Sequence, residues 1–311
     1  MSNQLNEKDF ELYLANARSQ IESVFSISRE KNINYGYQFL IEEGSAKLTL
    51  NIYNGKKGLN PVYAGDTALE EKVKALLTSG TKPSANLTAA EEVESYGAKP
   101  WAGSDESGKG DYFGPLVVAA VVLDSSSAKK LFDAGVKDCK LLTDKKILGL
   151  EEIILNNALD AAVLEMKPHM YNLRYEQVAA QGGKLNQLLG LGHIAALTKV
   201  LSNHPDAERA LIDQFTPSWE NVRVLAEKFP NCKISQTPRA ESDLAVAAAS
   251  VLARARFLRA IEALSERAGL GDIPKGSGPL VNAYAHRFVE KYGKDELRNY
   301  AKLHFHTTET L

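Results

Sequence analysis

The chain has 311 residues, of which 44% are hydrophobic, and this length exceeds the usual size of one globular domain, so we expect two domains. The formal net charge of -2 excludes a globally basic nucleic-acid binder, so any such binding must use local patches. No apolar run approaches the about 20 residues of a membrane span, and two cysteines without metal-ligand spacing, Cys139 and Cys232, favour a cytoplasmic protein without a disulfide or zinc site.

The N-terminal part of the sequence predicts a helix, a small antiparallel sheet and a second helix. Apolar residues at helical spacing indicate the first helix, and alternation of apolar with polar residues indicates half-buried strands. Asn54-Gly55 predicts a tight turn, and Asp66-Thr67 is placed to cap the second helix. The predicted elements are a helix over residues 3–27, the strands Tyr35–Ile41, Lys47–Tyr53 and Leu59–Ala64, and the helix Ala68–Leu77, which ends at Gly80.

The exposed face of this curved sheet is a candidate contact for nucleic acid. It carries Lys47, Thr49 and Asn51, with Lys56 and Lys57 in the following turn. Such a face can lie on a nucleic-acid backbone. A solvated sheet face is an equally supported alternative, because acidic and basic residues balance in this module.

A segment with glycine, proline and serine, followed by an acidic run, indicates a linker between two domains. We place the linker at residues 86–99, the first domain at 1–85 and the second at 100–311.

A glycine-spaced motif near the start of the second domain carries two adjacent carboxylates. Gly103-Ser-Asp-Glu-Ser-Gly-Lys-Gly-Asp-Tyr-Phe-Gly-Pro115 runs into Leu116–Leu123, an apolar stretch that predicts a strand buried on both faces. Because side chains alternate across a strand, Asp105 and Glu106 can face one site only if the chain frays or bulges there. Two carboxylates so close repel each other unless a cation lies between them, and their hard oxygens suit Mg²⁺ or Mn²⁺. A solvated acidic turn is the alternative.

The same motif matches seven of the eight positions of a phosphate-binding P-loop, from Gly103 to Lys109. The eighth position, Gly110, lacks the hydroxyl that binds Mg²⁺, and two acids inside the loop would repel phosphates. Pro115 and a valine-rich run replace the helix that should follow. The sequence therefore argues against a nucleotide hydrolase.

The densest basic stretch near the motif provides candidate phosphate contacts, with exposed helix ends as the alternative interpretation. Its lysines are Lys137, Lys140, Lys145 and Lys146. Around and beyond it we predict the helices Ala128–Ala134, Asp144–Leu150 and Leu185–Leu201, a strand or helix end at Ala158–Met166, and the strand Arg209–Asp213. His193 lies among leucines of the third helix, so we interpret it as a hydrogen-bonded packing residue rather than a catalytic one.

Two further acids occupy positions where α/β proteins place functional groups. Asp213 stands at the end of its predicted strand. Glu241 or Asp243 would stand at the start of a long helix with apolar residues at steps of four and three, where a cap is the competing role, more so for Asp243. Acids delivered from two strands and a helix start form the pattern of a two-metal centre, whose natural substrate is a phosphodiester.

The second domain also resembles bacterial ribonuclease HIII through several motifs in order. They are Gly103–Pro115, Val136–Asp144, Ile212–Phe215, Arg239-Ala-Glu-Ser242 with Val246–Arg254, and Lys302-Leu-His-Phe305. The resemblance implies a ribonuclease H-like mixed five-stranded sheet with helices, preceded by a small α+β domain like the TATA-binding protein, with a curved antiparallel sheet. It also implies endonucleolytic cleavage of the RNA strand of RNA/DNA hybrids with two Mg²⁺ or Mn²⁺ ions, leaving 3′-hydroxyl and 5′-phosphate ends. We expect a monomer without a membrane partner.

The resemblance carries the catalytic and metal-binding acids to Asp105, Glu106, Asp213 and Glu241, with Asp243 as the alternative fourth acid. It places the ribose 2′-hydroxyl contacts at Ser107, Gly108, Lys109 and Gly110; a glycine turn lets a backbone approach a hydroxyl that both donates and accepts. A serine and a lysine of the family's phosphate motif read here as Cys139 and Leu141. The phosphate role then falls on Lys140, with Lys109 and Lys145 as helpers.

Two alternatives remain open from the sequence. One is activity of the ribonuclease HII type, which cuts at a single ribonucleotide embedded in duplex DNA; the N-terminal module favours type HIII. The other is a non-catalytic protein that binds hybrids, against which the presence of all four acids argues.

Overall fold

The computed structural model describes residues 5–55, 58–78, 99–216, 218–238 and 240–311. Within these residues the chain forms two sheets, one of four strands and one of five. The N-terminal elements are α1 (Glu7–Glu22), β1 (Ser26–Ile33), β2 (Gly36–Glu43), β3 (Ala46–Gly55), β4 (Gly58–Gly65) and α2 (Thr67–Thr78). Their strands are antiparallel and lie in chain order.

The N-terminal sheet has one strand more than the sequence analysis predicted. Strand β1 occupies part of the predicted helix 3–27, which ends at Glu22 instead. The strand is largely polar and exposed, because it lies at the sheet edge and pairs only with β2. Its sequence therefore lacks the alternation that marks a half-buried strand. The strand predicted to begin at Tyr35 begins at Gly36, since Tyr35 adopts a left-handed φ of 61° in the preceding turn.

Both helices cover one face of this sheet. The alternating residues Leu48, Leu50 and Ile52 of β3 are fully buried against the helices, as their pattern predicts. Asp66 caps α2 by accepting a hydrogen bond from the Leu69 amide at 2.9 Å. The opposite face carries Lys47, Thr49 and Asn51. Several other predictions, Lys56, Lys57, the helix end at Gly80 and the linker apart from residue 99, lie outside the described residues.

The second sheet is mixed and has the order β7-β6-β5-β8-β9. Its strands are β5 (Trp101–Ser107), β6 (Leu116–Leu123), β7 (Asp160–Met166), β8 (Arg209–Asp213) and β9 (Lys233–Thr237). The helices are α3 (Ser125–Asp133), α4 (Asp144–Asn157), α5 (Pro168–Ala180), α6 (Leu185–Asn203), α7 (Glu220–Lys228), α8 (Leu244–Ala268), α9 (Pro279–Tyr292) and α10 (His306–Glu309). Of the two readings for residues 158–166, the strand is right.

Strand β6 is buried on both faces, which confirms the prediction from its apolar run. Val117, Ala119 and Val121 face a core built with α3, α4 and α8. The alternate residues face a second core built with α6 and α7. Helices therefore cover both sides of the sheet and leave its strand ends accessible for function.

Helix α8 packs directly on β5. A Cβ atom at Gly103 would lie 2.3 Å from the amide nitrogen of Val246, so only glycine fits at this crossing. The helix ends at Gly269, whose left-handed φ of 57° is typical of a C-terminal cap. None of the helices in the described part of the chain is long and apolar enough to cross a membrane.

The two sheets are connected through α1 and α7. The rings of Tyr13 and Trp219 meet edge to face with centroids 5.9 Å apart. Lys233 at the start of β9 donates a hydrogen bond to Ser19 of α1. The N-terminal module therefore lies beside the β9 end of the second sheet.

Candidate active site

The ends of β5 and β8 place two carboxylates side by side. These strands are parallel, and Ser104 is paired with Ile212. The next residues, Asp105 and Asp213, therefore occupy equivalent positions on neighbouring strands about 4.8 Å apart, with side chains on the same face. Asp105 is buried and Asp213 is partly exposed. Two acids far apart in the sequence thus lie next to each other.

A third segment brings Glu241 to this pair. A 3₁₀ turn over Ala240–Ser242 connects β9 to α8, and its Ala240 amide donates to Asp213 Oδ1 at 3.0 Å. On the other side, Lys140 Nζ lies 3.8 Å from Glu241 Oε1. The turn therefore carries Glu241 next to Asp213 and opposite the basic stretch.

Asp243 has a different environment from Glu241. It is buried at the N-terminus of α8, where its Oδ1 accepts hydrogen bonds from Trp101 Nε1 at 3.1 Å and from the Ala245 amide at 2.9 Å. Its Oδ2 lies 3.4 Å from Arg209. The carboxylate of Asp243 is therefore occupied by structural contacts as the cap of α8.

Strand β5 stays regular through both acids of the glycine-spaced motif. It pairs with β6 residue for residue, up to Ser107 opposite Val117. The fray or bulge expected at Asp105 and Glu106 is therefore wrong, and the acids belong to a strand of their own that precedes β6. Cross-strand neighbours share a face, so Asp105 lies on the α8 side with Ala119, and Glu106 lies on the α6 side. The two carboxylates leave opposite faces at the end of one strand.

His193 of α6 holds Glu106 from that second face. Its Nε2 lies 3.1 Å from Glu106 Oε2 and donates, because an ionised carboxylate can only accept. Its Nδ1 lies 2.9 Å from Ser104 Oγ, and its ring stacks on Phe215 with centroids 4.8 Å apart. His193 is fully buried and hydrogen-bonded as expected, but its partner is a candidate catalytic acid.

The sequence predicts a packing role for His193 and misses its bond to a candidate catalytic acid, although one signal pointed to such a bond. A polar ring among the buried leucines of a helix needs a buried hydrogen-bond partner. That rule predicts that a partner exists without saying which residue it is.

The acids share one electrostatic environment. Burial raises the pKa of Asp105 well above its ordinary value, and the charges of Glu106 and Asp213 raise it further. Burial likewise raises the pKa of Asp213, with added repulsion from Glu241, although the Ala240 amide opposes the shift. This arrangement is unfavourable for four negative charges and favourable for a cation between them.

The protein's own cations already offset part of this repulsion. Burial would raise the pKa of Glu106, but the contacts with His193 and Lys109 outweigh it and lower the pKa overall. Burial would lower the pKa of Lys140, but the nearby acids Asp138 and Glu241 raise it overall. These bonds turn Glu106 towards His193 and Lys109, and Glu241 towards Lys140.

The chemistry of the donors fits hard divalent cations, since all four are carboxylates. The side chains do not converge on one point, however. Within the residues that the structure describes, no three His, Cys, Asp or Glu side chains are arranged to hold a metal ion. Binding a cation therefore requires Glu106 Oε1 to release Lys109 and Glu241 to release Lys140, while Glu106 Oε2 keeps its bond to His193.

The turn after the acids contains two glycines. Only glycine fits at Gly108, whereas a larger side chain would fit at Gly110. Gly108 has a left-handed φ of 88°, and a Cβ there would lie 2.2 Å from the carbonyl oxygen of Pro115. Gly110 is exposed, and a Cβ there would meet nothing within 4 Å. Ser107 and Lys109 are partly exposed beside them. Gly108 therefore sets the shape of the turn, and Gly110 leaves space for a ligand.

A buried lysine from the C-terminal segment anchors this turn. Lys302 Nζ donates to the carbonyl oxygens of Asp111 at 2.8 Å and Gly114 at 2.7 Å. Burial lowers the pKa of this lysine to about 7. The role of Lys302 could not be predicted from the sequence, because a contact across 191 positions leaves no local pattern.

The remaining lysines of the basic stretch differ in their position. All four lysines of the stretch are exposed, but Lys140 lies beside Glu241, whereas Lys146 Nζ donates to the carbonyl oxygen of Ala134. Leu141 stands where the family motif has a lysine, and it is 68% exposed. Cys139 donates its amide to Ser250 Oγ at 3.2 Å. The two substituted positions thus differ, one facing solvent and the other held against α8.

Comparisons with known proteins identify related chains. The family model described as Ribonuclease HII matches residues 102–308. A Ribonuclease HIII of Protochlamydia amoebophila is 36% identical over 212 residues, covering 68% of each chain. A Ribonuclease HIII of Bacillus cereus is 35% identical over 220 residues, covering 69% of each chain. The crystal structure of Bst-RNase HIII in complex with Mn²⁺ aligns with a TM-score of 0.61 and 28% identity, covering 98% of this chain and 96% of that one.

Proposed function

The chain belongs to the ribonuclease HII family and, within it, to the ribonuclease HIII enzymes, and on this premise we propose that it cleaves the RNA strand of RNA/DNA hybrids. Cleavage is endonucleolytic hydrolysis that leaves 3′-hydroxyl and 5′-phosphate ends. The observation that carries the proposal is the meeting of Asp105, Glu106, Asp213 and Glu241 at one edge of the sheet. These acids come from three separate segments, and their mutual repulsion has no structural benefit of its own.

The four acids would hold two Mg²⁺ or Mn²⁺ ions. When bound, such ions activate a water molecule and stabilise the leaving oxygen of an in-line displacement. Asp105 and Asp213 supply neighbouring oxygens from rigid strand ends. Glu106 and Glu241 supply the outer ones, and His193 fixes the Glu106 carboxylate through the oxygen that does not face the ion.

Substrate recognition uses the turn Ser107–Gly110 and the lysines around it. The exposed Gly110 lets the backbone approach a ribose 2′-hydroxyl, the group that distinguishes RNA from DNA. Lys140 contacts a phosphate, and Lys109 assists it from beside Glu106. Lys140 leaves Glu241 when a cation and substrate arrive.

The N-terminal domain, residues 1–85, binds the same duplex through the sheet face that carries Lys47, Thr49 and Asn51, and residues 86–99 connect it to the catalytic domain, residues 100–311. This face is left uncovered by the two helices. We place the enzyme in the cytoplasm, in accord with two free cysteines, and we expect it to be a monomer.

A cleavage panel tests the function directly. The purified chain is incubated with an RNA/DNA hybrid, double-stranded RNA, double-stranded DNA and a DNA duplex with one ribonucleotide, each with and without Mg²⁺ or Mn²⁺. We expect cleavage of the hybrid only, and only with metal. Efficient cutting at the single ribonucleotide would favour type HII activity, and metal-dependent binding without cleavage would favour a non-catalytic hybrid-binding protein.

A further inference from the structure

A cationic groove lies at the accessible end of the second sheet, outside the site described above. We call it the α8 groove, and its cavity volume is about 340 Å³. Pro115, Pro168 and Leu264 contribute its apolar floor. Its rim carries the cations Lys167, Arg256, Arg259 and Arg267. Four cations around one concave surface make the groove a candidate anion-binding site.

Two of the four cations are already neutralised. Arg256 pairs with Glu165, and Arg259 pairs with Glu151, each at 2.6 Å. Such pairs at a surface contribute little net charge to a ligand site. The attraction for an anion must therefore come from Lys167 and Arg267.

Arg267 is held in place without a counter-ion. Its Nε donates to Tyr300 Oη at 2.7 Å, its guanidinium lies 4.1 Å from the Tyr300 ring centroid, and its second nitrogen donates to the Asn299 carbonyl at 3.1 Å. All these partners are neutral. Neither Lys167 nor Arg267 has an acidic partner within 4 Å in the part of the chain that the structure describes. An arginine fixed by stacking with donors left over is suited to a phosphate, whose oxygens match the planar fork.

The groove opens at the same edge of the sheet as the acids. Lys167 follows the last residue of β7, Met166, which pairs with Leu116 at the start of β6. Ser107 at the end of β5 pairs with the following residue, Val117. Strand β7 is two positions from β5 in the sheet, so Lys167 lies about 10 Å from the catalytic edge in the direction across the strands. At a rise of about 3.4 Å per nucleotide, that distance corresponds to about three nucleotides.

We propose that Lys167 and Arg267 bind a backbone phosphate of the hybrid about three nucleotides from the cleaved bond. This inference rests on the proposed function, because a duplex lying across the sheet edge is what carries a phosphate to the groove. The contact adds affinity and register without reading sequence. It does not touch the reacting atoms.

Salt dependence of binding tests the proposal. The affinity of each protein for a fluorescent hybrid is measured without divalent metal over a range of KCl concentrations. Each phosphate contact contributes about 0.9 to the slope of log Kd against log salt in duplex DNA. Because both residues neutralise the same phosphate, we expect Lys167→Gln with Arg267→Gln to reduce the slope by about one, and Lys167→Gln alone to reduce it by part of that amount. At saturating hybrid, the cleavage rate should stay within about twofold of the wild type.

The matched control is Lys199→Gln, which removes an exposed lysine of α6 that lies on the far side of His193 from the catalytic edge. It should leave the slope unchanged. A shortened hybrid that ends before the groove should bind the wild type and the Lys167→Gln variant equally. Lys167 is exposed, so its substitution tests the contact even if the Arg267 variant folds poorly.

Two results would overturn the proposal. One is a wild-type slope in the Lys167→Gln protein, and the other is an equal loss on the long and the shortened hybrid. A wild-type protein that neither binds nor cleaves hybrid would instead remove the proposed function.

Discussion

The two sheets of this protein are covered in different ways. Helices cover both faces of the five-stranded sheet, and every residue of β6 is buried. Helices cover only one face of the four-stranded sheet, and most of β1 is exposed. A sheet enclosed on both faces can present functional groups only at its strand ends, whereas a half-covered sheet offers a broad surface. In this chain the five-stranded sheet is suited to chemistry and the four-stranded sheet to contact.

The difference also explains where the acids stand. Asp105 and Asp213 extend from strands fixed between two layers of helices, so their separation is set by the spacing of the strands. A catalytic constellation benefits from this rigidity. The surface of the N-terminal sheet needs only a matching shape and charge.

The largest expected effect is a loss of cleavage at the edge of the five-stranded sheet, while the affinity for the hybrid is kept. Asp105→Asn removes one charge from the candidate metal-binding edge. Metal ions supply several kcal/mol of transition-state stabilisation, which corresponds to a loss of about 10³-fold or more in kcat. Steady-state cleavage measures the loss, and a binding titration should give a Kd close to that of the wild type. Asp133→Asn, on exposed α3, is the control; undiminished cleavage by Asp105→Asn would remove Asp105 from the mechanism.

The second prediction concerns packing on the two sheets. Gly103→Ala places a methyl group 2.3 Å from the backbone of α8, and overpacking of this kind costs about 3 kcal/mol of stability. Gly55→Ala on the N-terminal sheet meets nothing within 4 Å and should change stability by less than about 1 kcal/mol. Urea denaturation of both variants measures the contrast. Equal destabilisation of the two variants would mean that covering both faces with helices does not make the five-stranded sheet less tolerant of an added methyl group.

The third prediction separates positioning from packing at His193. His193→Phe keeps an aromatic ring against Phe215 but cannot donate to Glu106, and loss of such a supporting bond costs about 10- to 100-fold in activity or metal affinity. Cleavage at saturating hybrid and calorimetric Mn²⁺ binding should both fall, and His193→Gln, which keeps a donor, should recover part of each.

The control for this change is His204→Phe at the other end of the same helix, where the histidine lies 3.9 Å from Asp160. It should leave cleavage and Mn²⁺ binding unchanged. Normal Mn²⁺ binding by the His193→Phe protein would mean that His193 only fills space.

The smallest expected effect concerns the uncovered face of the N-terminal sheet. Thr49→Glu adds a negative charge there, and repulsion of one phosphate in water is worth about 1 kcal/mol, or about fivefold in KM with kcat unchanged. Ala68→Glu adds the same charge on exposed α2 and should have no effect. An unchanged KM for Thr49→Glu would remove this face from the substrate contact.

The sequence predicted elements well where burial imposes a period. Strand β3 and strand β6 follow directly from alternation and from a continuous apolar run. Strand β1 was missed because an exposed edge strand has no apolar face to repeat. Strand β5 was missed because its functional residues, Gly103 to Ser107, replace the apolar pattern that would have marked it.

The residues of the candidate site likewise divide into those with a local sequence signal and those without one. Asp105, Glu106 and Asp213 could be named as candidates from the sequence, with Glu241 and Asp243 as alternatives for the fourth acid, because carboxylates at strand ends and helix starts carry their own signal. The bond between His193 and Glu106, and the bond from Trp101 to Asp243, join residues distant along the chain, and only the fold brings them together. Asp105 and Glu106 lie on opposite faces because β5 is regular. The neighbouring Gly108 and Gly110 had suggested a fray or bulge instead.

The anchoring of the turn by Lys302 has a consequence for protein synthesis. A chain still on the ribosome that has extruded residues up to α8 already contains the four acids, but it lacks the lysine that holds Asp111 and Gly114. Domains fold as they emerge, from the N-terminus onwards. The turn next to the acids therefore gains its anchor only after nearly the whole catalytic domain has been translated.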